Sequence, residues 1–538
     1  MRDYYDNDND MASETEVVVN RYKLPFKKSD QAKQITIEIY SASETGSGSD
    51  TGFSFSRKST YRYLTRWAAS INAETRGITP VSDEEKTERS VAHVAVMWFS
   101  ANLVLSAYAI GALGPMVYGL NFGTSALTIV VFVILGTMPV AYLSVFGAKL
   151  GMRQMVLSRF LMGNITGRIF SLFNVIACIG WCVLNTICSA EVLSMINHGS
   201  GHSLPLWAGV LVIVIGTVAI SFFGYKVMLN FEKWSWIPNL AIFLVILARL
   251  RISGKWSDGP WVSGPTTAGN VLSFGCSAYG YAAAWASYAS DYTVYMPRST
   301  SSTKIFVWIT CGLTIPLCFT MMLGAACGMG GVNDPLWKKY YNEHSIGGLT
   351  YAILVPNSLH AFGSFCCVVL ATSTIANNLP SMYTIALSVQ AMWEPLARVP
   401  RMVWTVVGNL ATLAIAIPAS YFFNQFLENF MNTISYYAAI YISLSLVEHL
   451  VFRSRNFRNY NVSHWRRWDK LALGIAGTAS LFIGGLGVAL GMCQTYWVGE
   501  IARRIGKDGG DVGFELGAAW AALSYLILRP IERKYIGR

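Results

Sequence analysis

The chain has 538 residues, of which 53 % are hydrophobic and only 13 % are charged. Soluble domains carry roughly 25 % charged residues, and one soluble core could not hide this much apolar surface from water. The composition therefore excludes a soluble globular protein and indicates an integral membrane protein. The net charge of +11 falls on Lys and Arg between apolar stretches, which indicates orientation in a bilayer. No base-reading module is present, so we expect no nucleic-acid partner.

The first 90 residues differ from the rest of the chain. They are rich in Ser, Thr, Asp, Asn and Glu and include a low-complexity stretch at 41–50. A segment of this composition buries too little apolar surface to fold alone. We expect residues 1–90 to form a disordered cytoplasmic tail, open to modification by trafficking machinery, and the first span to act as an uncleaved signal-anchor.

Twelve apolar stretches follow, each of a length suited to a membrane helix, which needs roughly 20 residues. The predicted spans are 93–118, 121–147, 168–194, 205–224, 234–250, 271–291, 304–328, 356–394, 402–422, 429–450, 470–492 and 512–528. The eighth is long for one straight helix. It contains Pro380, where we expect a break because proline lacks a backbone donor and clashes with the preceding turn.

The basic residues set the predicted topology. With the N-terminus inside, twelve spans leave twenty Lys and Arg in cytoplasmic segments and eight in outer loops. Dividing the eighth stretch into two spans would move the basic cluster 453–470 outside, against the positive-inside bias. We therefore expect twelve transmembrane helices with both termini cytoplasmic.

Two spans carry glycines typical of a discontinuous helix. The first contains Gly111, Gly114 and Pro115, and the sixth contains Gly280. They are five spans apart, as two inverted five-helix repeats would require. A break frees backbone groups and is tolerated only beside a cavity, although glycine also serves close packing. We expect helix breaks at these positions.

The third and sixth spans carry paired aromatic and polar side chains. Trp181 and Asn185 lie four residues apart on one helix face. An indole stacks on a planar ring, and an amide offers a donor and an acceptor to a ring edge. The alternative is a packed Trp with an interhelical hydrogen bond. Tyr281 and Trp285, one turn apart in the sixth span, fit an aromatic clamp or the core equally well.

The eighth span holds the most polar stretch, at 372–378. Its adjacent Asn377 and Asn378 fit either a cap on a broken helix end or a contact with a ligand. Ionisable residues within spans are scarce, and a buried carboxylate could carry a coupling proton. The candidates are Glu191, near an outer end, and Asp291, near a cytoplasmic end where capping explains it as well.

The scarcity of charge argues against a charged substrate and against a channel lined by acidic rings. The sequence contains no Walker loop, nucleophile elbow or His/Cys metal cluster. We therefore expect neither a primary pump nor an enzyme, and no metal or organic cofactor. A membrane receptor or sensor would need a sizeable reading domain, and only the polar tail lies outside the spans.

Five segments of the chain resemble a known family. They are 146–160 (FGAKLGMRQMVLSRF), 224–227 (GYKV), 232–239 (EKWSWIPN), 288–297 (YASDYTVYMP) and 376–380 (ANNLP). The sequence is similar, over about 90–530, to the fungal purine–cytosine permeases of the nucleobase–cation symporter-1 family. The resemblance implies an all-α, LeuT-like 5+5 inverted repeat. Its halves would be 91–250 and 271–450, followed by two extra helices within 470–538.

The resemblance further implies import of cytosine, adenine, guanine and hypoxanthine across the plasma membrane by proton symport. Implied substrate-binding residues are Trp181, Asn185, Asn377, Asn378, Ser106 and a sixth-span aromatic, which is Trp285 or, in a competing alignment, Tyr281. Bacterial relatives bind sodium through first- and eighth-span groups, and Thr372 and Ser373 fall one residue out of register with them. We therefore expect a proton rather than sodium. Sister groups carry other planar solutes, such as uracil, allantoin, hydantoin, a vitamin or a nucleoside, and the pattern does not separate them.

Overall fold

A computed structural model of the chain describes residues 76–198, 201 and 203–537. The predicted tail 1–90 therefore lies mostly outside the described residues. Its last part is folded, because Ile78 and Val81 are apolar and buried and the Val81 amide donates to the carbonyl of Gly151 at 2.8 Å. The folded part of the chain thus begins before residue 91.

The described residues are almost entirely helical. The α-helices are α1 (Val91–Asn102), α2 (Leu105–Met116), α3 (Phe122–Leu150), α4 (Gln154–Met162), α5 (Asn164–Met195), α6 (Leu206–Ser221), α7 (Tyr225–Ser253), α8 (Pro265–Ala283), α9 (Ser302–Asn333), α10 (Pro335–Leu354), α11 (His360–Met392), α12 (Glu394–Ala397), α13 (Arg401–Ala419), α14 (Phe423–Val447), α15 (Ile475–Gly491) and α16 (Gly513–Ile536).

Short segments complete the fold. They are 3₁₀ turns at Asp83–Glu85, Ala284–Tyr292, Ser420–Phe422, Phe457–Asn459, Val462–His464 and Ala502–Arg504, π-helical turns at Val355–Leu359 and Glu448–Phe452, and two strands, β1 (Cys493–Gln494) and β2 (Trp497–Val498). The strands pair antiparallel in the loop between α15 and α16.

The helices agree with a protein that crosses a membrane many times. Within the described ranges, seven helical stretches are long and apolar enough to span, and α1 with α2 forms one further bent span. Helices α6 and α15 are apolar but shorter. Helices α8 and α16 occupy the sixth and twelfth predicted spans. Every predicted span thus contains a helix.

The first span is broken, but not where the glycines predicted. Helices α1 and α2 meet at Leu103 and Val104 with a bend of 53°, and α2 continues through Gly111, Gly114 and Pro115. The expected break at these three residues is therefore wrong. A Cβ on Gly111 would overlap the backbone of α9, so this glycine allows two helices to pack closely.

The sixth span is also broken beyond its glycine. Helix α8 continues through Gly280 to Ala283, then tightens into the 3₁₀ segment, where Tyr288 has a non-helical backbone (φ −145°, ψ 17°). The break predicted at Gly280 is therefore wrong. This glycine instead permits the close approach of α14, whose Met431 backbone a Cβ would meet.

The eighth span runs straight through its proline. Helix α11 is continuous from His360 to Met392, so the break predicted at Pro380 is wrong. Prolines are tolerated in membrane helices that pack against neighbouring helices. A contact with the sixth span lies at this point, where the Tyr292 hydroxyl donates to the Pro380 carbonyl at 2.8 Å. Asn377 and Asn378 lie inside this helix and therefore cap no broken end.

Helices α1 to α7 occupy the first five predicted spans and α8 to α14 the next five, and the first span of each set contains a discontinuity. Helix α11 packs along α5, α2 along α9, and α15 along α16. Both parts of the first span also contact α11, and α2 contacts α5 and α8, so the third and eighth spans meet the two broken spans.

The last helix is held to the tenth span by a buried ion-pair network around Glu448, which is fully buried. Its carboxylate pairs with Arg453 at 3.0 Å, with Arg529 at 3.1 Å and with Arg533 at 3.3 Å. Arg529 also pairs with Glu532 at 3.0 Å. Buried charges are stable only when they are paired in this way, so the network fixes α16 against the end of α14.

Candidate functional site

Three asparagines meet where α5 packs along α11. The side-chain amide of Asn185 donates to the Oδ1 atoms of Asn377 at 2.7 Å and Asn378 at 2.9 Å. All three side chains are buried. Amides inside a membrane protein are costly unless hydrogen-bonded, and here they bond one another across two helices. We call Asn185, Asn377 and Asn378 the asparagine cluster.

The asparagine cluster is tied to both broken spans. The Asn377 amide donates to the carbonyl of Ala101 at 2.5 Å and to the hydroxyl of Tyr281 at 3.2 Å. The Tyr281 hydroxyl shares a hydrogen bond with Ser106 at 2.9 Å. Ala101 and Ser106 flank the break between α1 and α2. Five of the predicted residues, Asn185, Asn377, Asn378, Tyr281 and Ser106, therefore form one chain of hydrogen bonds with the first-span break.

Aromatic rings lie beside the asparagine cluster. Trp181 packs edge-on against Tyr281, with ring centroids 4.8 Å apart, and against Phe430 of α14 at 5.9 Å. Trp181 is buried, yet its indole N–H has no hydrogen-bond partner, and neither has the Oδ1 atom of Asn185. One donor and one acceptor thus remain unused at the site.

Trp285 does not form an aromatic clamp with Tyr281 around Trp181. Its indole N–H donates to the Oδ1 atom of Asn102 at 3.1 Å. Its ring packs against Trp98 at 5.0 Å and Tyr288 at 5.5 Å. Of the two sixth-span aromatics, Tyr281 is the one that contacts Trp181.

Three residues at the site were missed by sequence reasoning. They are Asn102, Trp98 and Phe430. Asn102 is the last residue of α1, and its side-chain amide donates to the backbone carbonyl of Trp98 at 2.8 Å. The ring of Phe430 packs against Trp181. Asn102 is a polar residue in an apolar run, the same signal that singled out Asn185. Phe430 carried no signal, because a lone Phe in a span is ordinary core.

The hydroxyls proposed for ion coupling separate in the structure. The Ser373 hydroxyl accepts from the backbone amide of Leu105 at 3.1 Å, so it caps the first turn of α2. Thr372 is exposed on the other face of α11 and bonds only the carbonyl of Val369, at 2.7 Å. The expectation for Thr372 is therefore wrong, because it points away from the break.

The two acidic candidates lie away from the asparagine cluster. Asp291 accepts from the backbone amide of Gln154 at 2.7 Å and from the Thr384 hydroxyl at 3.4 Å, and so caps α4. Glu191 is buried next to Gly347 of α10. Neither shares a hydrogen bond with the cluster.

The site is uncharged and lined by amides, hydroxyls and aromatic rings. Such a set suits a neutral, planar molecule with hydrogen-bonding groups on its edge. Within the described ranges, no group of three His, Cys, Asp or Glu side chains is placed to hold a metal ion. The chemistry available here is recognition rather than bond making.

Known proteins resemble this chain over most of its length. The family model for "permease for cytosine/purines, uracil, thiamine, allantoin" matches residues 80–499. The purine-cytosine permease FCY2 of Saccharomyces cerevisiae is 60 % identical, over 88 % of this chain and 89 % of its own. The purine-cytosine permease fcyB of Emericella nidulans is 44 % identical, over 89 % and 93 %.

A solved structure has the same fold. The nucleobase-cation-symport-1 family transporter Mhp1, in a closed conformation with bromovinylhydantoin bound, matches with a TM-score of 0.62 at 15 % identity, covering 86 % of this chain and 96 % of its own. The predicted transporter fold and family are confirmed, and the relatives are permeases rather than enzymes. The chain therefore belongs to the family of permeases for cytosine and purines, uracil, thiamine and allantoin, as a multi-pass membrane protein of the fungal nucleobase–cation symporter-1 group.

Proposed function

We propose that the protein is a secondary transporter that imports nucleobases by proton symport with alternating access. Cytosine, adenine, guanine and hypoxanthine are the proposed substrates. The observation that carries the proposal is the convergence of the asparagine cluster with Trp181 and Tyr281 at the broken first span. The 60 % identity to a purine-cytosine permease supports the same substrate class.

The chemistry of a nucleobase matches the groups at this site. Its ring edge presents donors and acceptors side by side, and an amide can meet such an edge at two points. The unused indole N–H of Trp181 and the unused Oδ1 of Asn185 supply one further donor and acceptor. Stacking of a base on an aromatic face contributes roughly 1–3 kcal/mol.

Ser106 and Trp285 complete the proposed set. Ser106 reaches the asparagine cluster through Tyr281, so a solute that displaces the tyrosine hydroxyl gains the serine as a partner. Trp285 lies one turn from Tyr281 and bonds the last residue of α1. Movement at the first-span break therefore shifts Trp285 along with the asparagine cluster.

We place the protein in the plasma membrane with both termini cytoplasmic. The orientation is supported by the excess of Lys and Arg in the predicted inner segments, twenty against eight, and the plasma membrane is what the resemblance to fungal purine–cytosine permeases implies. The N-terminal tail then faces the trafficking machinery that would modify it. No cofactor other than the proton is proposed. The Ser373 hydroxyl, which a sodium site would use, accepts a hydrogen bond from the Leu105 amide and so has one lone pair fewer for an ion.

A second candidate is import of another planar solute by the same fold. The family description includes uracil, thiamine and allantoin, and the site has groups that would bind each of these rings. A nucleoside or vitamin belongs to the same class. A membrane receptor or sensor has less support, because no reading domain is indicated beyond the polar tail.

The test is uptake of radiolabelled cytosine by cells that lack their own nucleobase carriers. Uptake is measured at about pH 5 and about pH 8, with and without a protonophore. We expect saturable uptake that is faster at the lower pH and abolished by the protonophore. A protein present at the surface that takes up no cytosine or purine contradicts the proposal, and uracil and allantoin are then the next solutes to assay.

A further inference from the structure

A buried carboxylate on the fifth span plays no part in the site described above. Glu232 lies on α7 and is fully buried, at 0 % exposure. Neither of its carboxylate oxygens has a well-aligned hydrogen-bond partner. An ionised carboxylate is very costly in such a place unless it is paired, and ionisable groups within membrane spans mark ion and proton pathways.

Glu232 packs against the broken first span. The polar groups beside it are the hydroxyls of Ser100 on α1 and Ser235 on α7, which bond each other at 2.7 Å. Ser100 lies in the last turn of α1, next to Ala101, whose carbonyl accepts from Asn377. One helical turn therefore connects the carboxylate to the asparagine cluster.

No cation neutralises Glu232 among the described residues. Helix α7 packs against α1, α6, α9, α10 and α11, and α6 carries no charged residue. The charged and titratable groups along these helices have other neighbours or face outwards. They include His93, paired with Glu88 at 3.3 Å; Tyr383, beneath Arg153 and Arg401; Tyr225, which donates to the carbonyl of Tyr292; Lys255 with Asp334, beyond the far end of α7; Lys233, over Trp234; and the exposed Lys226 and Lys304. Arg249 and Arg251 lie at the opposite end of α7 from Glu232. On α10 and α11, Lys338, Lys339, Glu343 and His360 are exposed, and His344 packs against His198.

We propose that Glu232 is the group that binds the coupling proton. This inference rests on the proposed function and names the residue that links proton movement to it. With the site open to the outside, a proton from the medium forms an O–H bond with a Glu232 oxygen. With the site open to the cytoplasm, that bond breaks and the proton passes to water there. Each neutral base thus enters with one proton and one positive charge.

The contact with α1 explains how the proton and the solute would be coupled. The neutral acid can stay buried and donate to Ser100, so α1 packs against α7. The ionised carboxylate needs water, so α1 must move away before the proton can leave. Because α1 also carries Ala101 and Asn102 at the site, the same movement changes the solute contacts.

The other two acids fit this role less well. Asp291 is held as a helix cap by Gln154 and Thr384. Glu191 has one unpaired oxygen, but it lies beside Gly347 of α10 rather than beside the broken first or sixth span. Glu232 was not a candidate from sequence because it lies two residues before the predicted fifth span, at 234–250.

The experiment compares Glu232→Gln with wild type and with the matched control Glu191→Gln in the cells described above. Two readouts are taken: concentrative cytosine uptake at about pH 5 and about pH 8, and exchange of labelled for unlabelled cytosine, which needs no net proton movement. We expect Glu232→Gln to retain exchange while it loses accumulation, with a pH 5 to pH 8 rate ratio near one. Glu191→Gln should retain both.

Accumulation by Glu232→Gln that still responds to pH and to the protonophore would overturn the assignment. So would loss of the pH response in Glu191→Gln alone. If Glu232→Gln does not reach the surface, Glu232→Asp is assayed instead. The shorter side chain displaces the carboxylate, so the pH of half-maximal uptake should shift. An unshifted pH profile contradicts the proposal. Wild-type protein that takes up no base at all refutes the proposed function instead, so the two failures are distinct.

Discussion

Replacing Asn377 by alanine removes the side chain that joins the third, first and sixth spans. It makes three hydrogen bonds, with Asn185 at 2.7 Å, Ala101 at 2.5 Å and Tyr281 at 3.2 Å. A neutral hydrogen bond contributes about 1 kcal/mol net. If a base engages this amide at two points, its loss costs about 2 kcal/mol of binding, or roughly 30-fold in affinity.

The assay is cytosine uptake over a range of concentrations, with surface expression measured in the same cells. We expect the KM of Asn377→Ala to rise at least about 30-fold, or uptake to vanish, while the amount at the surface is unchanged. The matched control is Asn409→Ala. Asn409 is equally buried, but its amide donates within its own helix, to the carbonyl of Thr405 at 2.9 Å.

The comparison separates binding from folding. Asn409→Ala should transport like wild type, because it removes an amide outside the asparagine cluster. An Asn377→Ala protein that reaches the surface and shows a wild-type KM would refute the assignment of Asn377 to the substrate site.

Three further tests address other parts of the structure. Trp181→Ala should abolish uptake at normal surface expression. Tyr281→Phe, which keeps the ring and loses the hydroxyl, should raise the KM for cytosine by about tenfold. Normal uptake kinetics in both variants would contradict the assignment of these residues to the substrate site. Ser373→Ala should slow uptake by uncapping α2, while the exposed Thr372→Ala should not, and equal rates would argue against the cap. Glu448→Gln should lower the melting temperature in detergent, since it removes the charge that pairs with the buried Arg529 and with the partly exposed Arg453 and Arg533, and breaking a buried pair costs up to about 3–5 kcal/mol; an unchanged melting curve would show that the network contributes little.

The sequence allowed the spans to be predicted because lipid-facing helices are apolar along their whole length. It misplaced the helix breaks. Gly111 and Gly280 were read as hinges, yet each marks a close contact with α9 or α14. The first-span break falls instead at Leu103 and Val104, neither of which is a glycine or a proline. Its groups are satisfied by Ser373, more than 250 residues away, and such a partner cannot be read from local sequence.

The site was predicted more fully than the breaks. A buried asparagine must find a partner, so Asn185, Asn377 and Asn378 could be singled out individually, although their mutual bonds depend on how α5 packs on α11. The sequence could not decide between Tyr281 and Trp285, because residues four positions apart project from the same face of a helix. Glu232 could not be identified as a buried carboxylate from the sequence, because its burial depends on the packing of α1 against α7.

The mutual bonds of the asparagine cluster make recognition an exchange of partners. An entering ring must replace the bonds of 2.7 Å and 2.9 Å from the Asn185 amide with bonds of its own, so a correct fit gains less than the sum of its new hydrogen bonds. A ring that lacks one matching group leaves a buried amide atom bare, which costs about 1–3 kcal/mol, or roughly 5- to 150-fold in affinity. Selectivity in this protein would then come from the penalty on wrong solutes rather than from strong attraction of the right one.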